Sequence, residues 1–358
     1  MTTLFETLEL GTFALKNRIV MAPMTRSRAN DSDGTQPQYA ADYYAQRASG
    51  GLLITEATNI SPMAKGYVRT PGIYTEKQIE SWKPVAKAVR DRGGKIFMQI
   101  FHTGRIALPD FLPGKVRPFA PSPVKAAGQN FTDHAGPKDF VEPREMTREE
   151  IKETVADFAK AAKNAIAAGF DGVEIHGANG YLIQQFLSTN VNLRHDEYGG
   201  QIENRARFLF GVVDAVIDAI GRERTGLRLS PGSEVGDIRE SDAEALYGYV
   251  VTELNSRGLA YLHIGTTDQN HDWHSILRPV YGGNYFAGVG FTKESGEKLI
   301  AKGGADAIVY GKPFLANPDL PERFRLGAPL NPQDQSTFYT PGEKGYTDYP
   351  FLEAAAAA

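Results

Sequence analysis

Apolar residues in this chain fall into two kinds of run that take turns. Short, almost wholly apolar runs rich in Val and Ile read as buried strands. Longer runs with apolar positions three and four apart read as amphipathic helices. Leu8 to Leu15, with turn residues and alternating apolar positions, predicts a small hairpin ahead of the main fold. Arg18 to Pro23 is the first buried strand, ended by its proline, and Gln38 to Ala48 reads as a helix. Leu52 to Glu56 and Lys95 to Phe101 are the second and third strands. The helix between them, Glu76 to Arg92, is closed by Gly93 and Gly94. From Thr103 to Met146 Pro, Gly and charged residues dominate without a sustained period. This predicts a long loop, a feature compact proteins usually keep for a task such as covering a site.

Order returns at Thr147 and Glu150, spaced as a capping box in which each side chain bonds the other residue's backbone N–H. Ile151, Val155, Phe158, Ala162 and Ile166 then share one helical face, and Gly169 stops the helix. Strands at Val173 to Ile175, Leu227 to Ser230, Tyr261 to Ile264, Tyr285 to Ala287 and Ala307 to Tyr310 follow. Helices are expected at Glu203 to Ile220, Ala243 to Ser256, Lys293 to Lys302 and near Leu320 to Phe324. Eight strands, most followed by a helix, predict an α/β fold of the (β/α)8 TIM-barrel type. A doubly wound open sheet would need fewer strands or a two-domain break. The expectation is one barrel domain over residues 1–353, with a hairpin before it and an excursion after strand three. Ala354 to Ala358 would be a tail.

Composition narrows the function. The net charge is −4, from 39 basic and 43 acidic residues, so nothing pulls the chain toward nucleic acid or anionic membrane. The chain has no cysteine, which excludes disulfides, thiolate-bound metals and thiol nucleophiles. No stretch approaches the roughly 18 apolar residues of a membrane span. The N-terminus lacks a basic region followed by a long apolar run, so a cytoplasmic protein is expected. Nothing separates a monomer from a homodimer.

Candidate chemistry gathers at strand ends, where α/β folds bind ligands. His176 closes the fourth strand, Gly177 and Gly180 allow a sharp turn, and Asn179 and Tyr181 add an amide and a phenol. The plainer alternative is a strand end satisfied by its own backbone. Pro23, Met24 and Thr25 follow strand one, Ala57 follows strand two, Gln99 lies late in strand three and Arg228 in strand five. This set has a cation, an amide, a hydroxyl and an imidazole but no carboxyl pair. That argues against glycosidase chemistry and against a divalent metal held by acids. His271 and His274 lack a third ligand, so no zinc site is expected. Arg228 in an apolar strand is costly unless compensated, either by a structural ion pair or by an anionic or electron-rich ring. Ala287 leads into Gly288, Val289 and Gly290, and Gly311 and Lys312 follow strand eight. Small residues and free amides there form the usual barrel phosphate site. Lys293 occupies the last glycine position of a dinucleotide GxGxxG pattern, and no GxxxxGK[ST] loop exists. The residues alone predict a phosphate-bearing ligand beneath a His/Asn/Tyr cluster.

At these positions the chain resembles the Old Yellow Enzyme family of FMN-dependent ene-reductases. The resemblance rests on Lys16–Arg26 (KNRIVMAPMTR), Glu56–Ser61 (EATNIS), Gln99–Arg105 (QIFHTGR) and His176–Tyr181 (HGANGY). It continues through Arg194–Gly200 (RHDEYGG), Glu203–Arg205, Ala316–Leu320 (ANPDL), Thr337–Tyr339 and Gly345–Pro350 (GYTDYP). Thr25, where another branch carries Cys, points to the branch of morphinone, pentaerythritol tetranitrate and N-ethylmaleimide reductases. The resemblance implies tightly bound, non-covalent FMN, with NADPH or NADH as reductant. Thr25 would tune the flavin near N5, Gln99 would bond its pyrimidine edge and Arg228 would lie by N1. Pro23, Met24 and Ala57 would also contact the ring. Ala287 to Gly290, with Gly311 and Lys312, would hold the phosphate. His176 and Asn179 would clamp a carbonyl or nitro oxygen, Tyr181 would protonate the substrate, and Tyr67, Phe101 and Tyr339 would wall the pocket. The implied substrates are electrophilic alkenes (enones, maleimides, nitroalkenes), with nitrate esters as a candidate second class. Lys312 stands where relatives usually have Arg, turning a bidentate fork into a point charge. Phe101 replaces a common Trp. The competing readings are a flavin-binding barrel without this activity, and a phosphate-binding lyase or isomerase. The latter would need a Schiff-base lysine or paired acids at strand ends.

Overall fold

The computed structural model describes residues 2–268 and 270–353. Among these residues eight parallel strands close into a barrel: β1 Ile19–Met21, β2 Leu52–Ile54, β3 Ile96–Phe101, β4 Gly172–Gly177, β5 Thr225–Leu229, β6 Tyr261–Gly265, β7 Tyr285–Gly288 and β8 Ala307–Tyr310. Pairing of β8 with β1 at Val309 and Val20, and of β3 with β4 at Met98 and Val173, completes the ring. The outer helices are α1 Ala40–Gln46, α2 Glu76–Asp91, α3 Arg148–Ala167, α4 Ile202–Ile220, α5 Ala243–Leu254, α6 Trp273–Leu277, α7 Lys293–Ala301 and α8 Leu320–Leu326. The expected barrel is the observed one, and the strands are legible because both of their faces are buried. The predicted tail, 354–358, lies outside the described residues.

Local chemistry explains the element ends. Thr147 Oγ1 accepts the Glu150 N–H at 3.2 Å and Glu150 Oε2 accepts the Thr147 N–H at 2.9 Å, so the capping box starts α3 as expected. Three short helices escaped the periodicity: Leu182–Leu187, α6 and Lys312–Ala316. All six residues of the first are buried, so it presents no polar face to mark its period.

The hairpin Leu8–Leu10 with Phe13–Leu15 is antiparallel, and its apolar residues join the lower barrel interior. Leu10 and Leu15 have no exposed surface, and Phe13 packs edge-on against Phe97. Above them Tyr261 stacks on Phe286 with ring centres 4.3 Å apart. A Cβ at Gly226 would lie 2.4 Å from the Tyr261 ring, so the neighbouring strand must carry glycine there. The bottom of the barrel is therefore plugged and apolar, which leaves the opposite mouth as the open end of the barrel.

The excursion after β3 has more structure than the sequence predicts. Phe119–Ala120 pairs in parallel with Arg144–Glu145, and Gln129–Thr132 forms a hairpin with Gly136–Asp139. The hairpin does alternate buried and exposed positions, but its inward residues are Asn130 and Thr132. Asn130 donates to the Gly66 carbonyl at 2.6 Å, so hydrogen bonding replaces apolar burial and the hydrophobic pattern is blank.

Candidate active site

Barrel closure sets the site residues level with one another. His176 stands beside Arg228, and Arg228 beside His263, on β4, β5 and β6. Two residues lower on β4, Glu174 is level with Gln99 of β3. Above this floor lies a cavity of about 1260 Å3. Its lining includes Pro23, Met24 and Thr25 after β1, Ala57 after β2, and Gln99, His176, Asn179, Tyr181, Arg228 and Lys312. Tyr67 and Tyr339 complete its upper wall. Most of the residues singled out in the sequence thus meet at one barrel mouth.

Two expectations are refined. Phe101 has no exposed surface; it stands behind the wall, stacked toward His176 at 6.1 Å and edge-on to Tyr181 at 5.3 Å. Ala287 is wholly buried in β7, while Val289 and Gly290 lie exposed beyond it. Val289 has φ of +72° and Gly290 +82°. A β-branched residue in that region is strained by about 1–3 kcal/mol, a cost met mostly at binding loops. His271 and His274 turn to separate partners, Asp268 and the Tyr285 hydroxyl. No metal-ligand cluster occurs among the described residues.

His176 is set up as a neutral donor. The Ala178 N–H donates to its Nδ1 at 3.3 Å, which leaves the ring proton on Nε2. Burial, with Arg228 and His263 nearby, holds its pKa well below the usual 6.5. The turn beyond it is strained on purpose. Asn179 sits at φ +56° and Gly180 at +77°, and a Cβ on Gly180 would fall 2.3 Å from the Val235 carbonyl. Ser230 Oγ accepts the Asn179 N–H at 2.9 Å, and Gln184 Oε1 accepts the Gly180 N–H at 2.8 Å. These bonds occupy the backbone of the turn and leave the Asn179 amide for the cavity. Tyr181 is T-shaped to His176 at 4.9 Å, with its hydroxyl 3.1 Å from that of Tyr67. Burial pushes its pKa above 10, opposed by the Tyr67 hydrogen bond.

Arg228 is buried except where it faces the cavity, its Nε has no hydrogen-bond partner, and among the described residues no carboxylate reaches it within ion-pair distance, so its charge is compensated only at longer range. A buried guanidinium with a spare donor, beside a carboxamide at Gln99 and a lysine at the rim, fits a planar group that carries negative charge and a phosphate.

Sequence reasoning missed Arg69, Glu174 and His263. Arg69 donates to the carbonyls of Ser27 at 2.9 Å and Tyr339 at 3.0 Å and pairs with Asp133, tying three distant segments over the mouth. No local signal marks it. Glu174 could have been found, because period two puts it on the same strand face as His176.

Burial also lowers the pKa values of His102, to about 3, and of His263. The folded chain therefore refuses protons that the unfolded chain accepts below 6.5. Stability from His102, His176 and His263 should be complete above that pH and fall below it, by up to about 1.4 kcal/mol per pH unit for each ring. Thermal melts across this range check it; a flat profile would mean the rings are charged in the fold.

Comparison with known proteins agrees with the geometry. The family model described as NADH:flavin oxidoreductase / NADH oxidase matches residues 3–331. A 12-oxophytodienoate reductase 1 of Oryza sativa subsp. japonica is 47% identical over 357 residues, covering 96% of this chain and 92% of the relative. A probable flavin mononucleotide-dependent alkene reductase of Leishmania infantum is 46% identical, covering 96% of each chain. The structure of morphinone reductase in complex with tetrahydroNAD superposes with a TM-score of 0.95 at 46% identity, covering 99% of this chain and 98% of that one. The old yellow enzyme homologue of Zymomonas mobilis superposes with a TM-score of 0.95 at 41% identity, covering 98% and 100%. Barrel, mouth and motifs lead to one assignment: the chain belongs to the NADH:flavin oxidoreductase / NADH oxidase family, as an Old Yellow Enzyme type of flavin oxidoreductase.

Proposed function

We propose that the chain is an NAD(P)H-dependent FMN ene-reductase, one barrel domain over residues 1–353, acting on electrophilic alkenes in the cytoplasm. The observation that carries this reading is convergence. His176, Asn179 and Tyr181 line the same cavity as Thr25, Gln99, Arg228 and Lys312. Gln99 and Arg228 would hold the flavin ring, with Pro23, Met24, Thr25 and Ala57 against it. The amides of Gly288 to Gly290, with Gly311 and Lys312, would hold the phosphate.

When bound, FMN would supply the redox chemistry, hydride transfer from NAD(P)H and to the alkene β-carbon. The chain's own groups do the rest. His176 Nε2–H and the Asn179 amide donate to the substrate carbonyl or nitro oxygen, drawing electrons from the double bond. Tyr181 gives its proton to the α-carbon. As that proton leaves, the Tyr67 hydroxyl can donate to the Tyr181 oxygen 3.1 Å away, which lowers the cost of a buried phenolate. Burial keeps Tyr181 protonated otherwise, so it acts only toward a strongly basic carbon.

The purified protein should be yellow and bleach under anaerobic NADH or NADPH, and cyclohexenone should restore the colour. A colourless protein that takes up no FMN refutes the proposal. Bleaching that cyclohexenone cannot reverse leaves a flavin-binding protein of another activity. Running both nucleotides in this assay also decides the reductant.

A further inference from the structure

We infer that Glu174 is a positioning residue for the flavin, orienting Gln99 and moderating the charge of Arg228 so that the cofactor is reduced yet gives up its electrons readily. The inference rests on the FMN reading above. Glu174 has no exposed surface, in a strand otherwise read as apolar. Its Oε1 accepts from Gln99 Nε2 at 2.7 Å and its Oε2 meets His263 Nδ1 at 3.0 Å. With the His263 ring carrying its proton on Nδ1, each Glu174 oxygen accepts one hydrogen bond from a nitrogen.

Two consequences follow from this bonding. The Gln99 amide is held with its nitrogen toward Glu174, which leaves its oxygen as the group that can accept from a ring N–H in the cavity. The His263 ring is held against β7: a Cβ at Gly288 would lie 2.6 Å from His263 Nε2, at the start of the loop assigned to the phosphate. One buried acid thus braces residues at both ends of the flavin site. The charge is the third element. Arg228 has an unpartnered Nε and stands on β5 two residues above Gly226, the residue level with Glu174, so both side chains share one face of the barrel and the carboxylate raises the Arg228 pKa against burial. A buried cation alone would stabilise reduced, anionic flavin most strongly. A buried anion beside it reduces that preference.

Glu174→Gln is nearly isosteric and removes the charge: its oxygen can still accept from Gln99 Nε2, and its NH2 can donate to His263 Nδ1 once the neutral imidazole carries its proton on Nε2, so the packing is kept. In FMN-loaded Glu174→Gln, anaerobic redox titration against a reference dye should show the reduced-to-oxidised ratio at a fixed potential raised roughly tenfold. That corresponds to a midpoint about 30 mV more positive for a two-electron couple. Glu174→Asp keeps the charge and should stay close to the wild-type midpoint. An unchanged midpoint in the Gln variant, or equal shifts in both variants, overturns the inference while FMN binding still supports the functional reading. If the Gln variant does not fold, a large positive shift in the Asp variant overturns it. A wild-type chain that takes up no FMN overturns both.

Discussion

Tyr181→Phe should slow enone reduction by about 10²- to 10⁴-fold, the range a positioned general acid contributes, while reduction by NAD(P)H stays nearly intact. The substitution removes one oxygen and keeps the ring, so its edge-on packing against His176, Phe101 and Tyr67 survives. In the proposed mechanism the lost group is needed only where a carbon must be protonated, which happens in the second half-reaction alone. Anaerobic stopped-flow measures the two halves separately, by bleaching with the nucleotide and recolouring with cyclohexenone. Equal loss in both halves would point to a collapsed site. Unchanged recolouring would assign the proton to water.

His176→Ala should lower kcat/KM for cyclohexenone by about 10²- to 10³-fold, the usual cost of removing one preorganised donor from a developing oxyanion. The neutral state of the ring gives this prediction a second edge. Burial, then Arg228 and His263, hold the pKa well below 6.5, so His176 remains a neutral Nε2–H donor as pH falls through that value. Recolouring by cyclohexenone should therefore show no step near pH 6.5 in the wild type. A step there would mean that imidazolium is the working form. Asn179 should share the load, since its amide lines the same cavity and is the second donor proposed there. Its left-handed backbone depends on Ser230 and Gln184, so damage to either residue should resemble a milder loss of Asn179.

The barrel was legible because buried parallel strands read as apolar blocks, and amphipathic helices with real solvent faces separate them. What escaped was structure whose burial is polar or complete. The hairpin at 129–139 turns Asn130 and Thr132 inward, and the helix Leu182–Leu187 has no exposed face. Tyr67, Asn179 and Tyr339 could be named from the family resemblance, yet no spacing reveals that Arg69 ties Ser27, Asp133 and the Tyr339 carbonyl together. Phe101 shows the opposite limit. Its place in a motif suggested a pocket wall, while its position on the strand buries it behind His176 and Tyr181.

By itself the sequence determined the strand–helix order, the capping box at Thr147 and Glu150, the absence of thiol chemistry, and the identity of the polar groups at the strand ends. These follow from local periodicity and from residue type, which need no knowledge of distant neighbours. Only the tertiary structure decided which of those groups share a cavity, which ring nitrogen of His176 keeps its proton, and that Glu174 lies between Gln99 and His263. Closing β8 onto β1 and β3 onto β4 sets the register of every strand at once, and that register exists nowhere in a single stretch of chain.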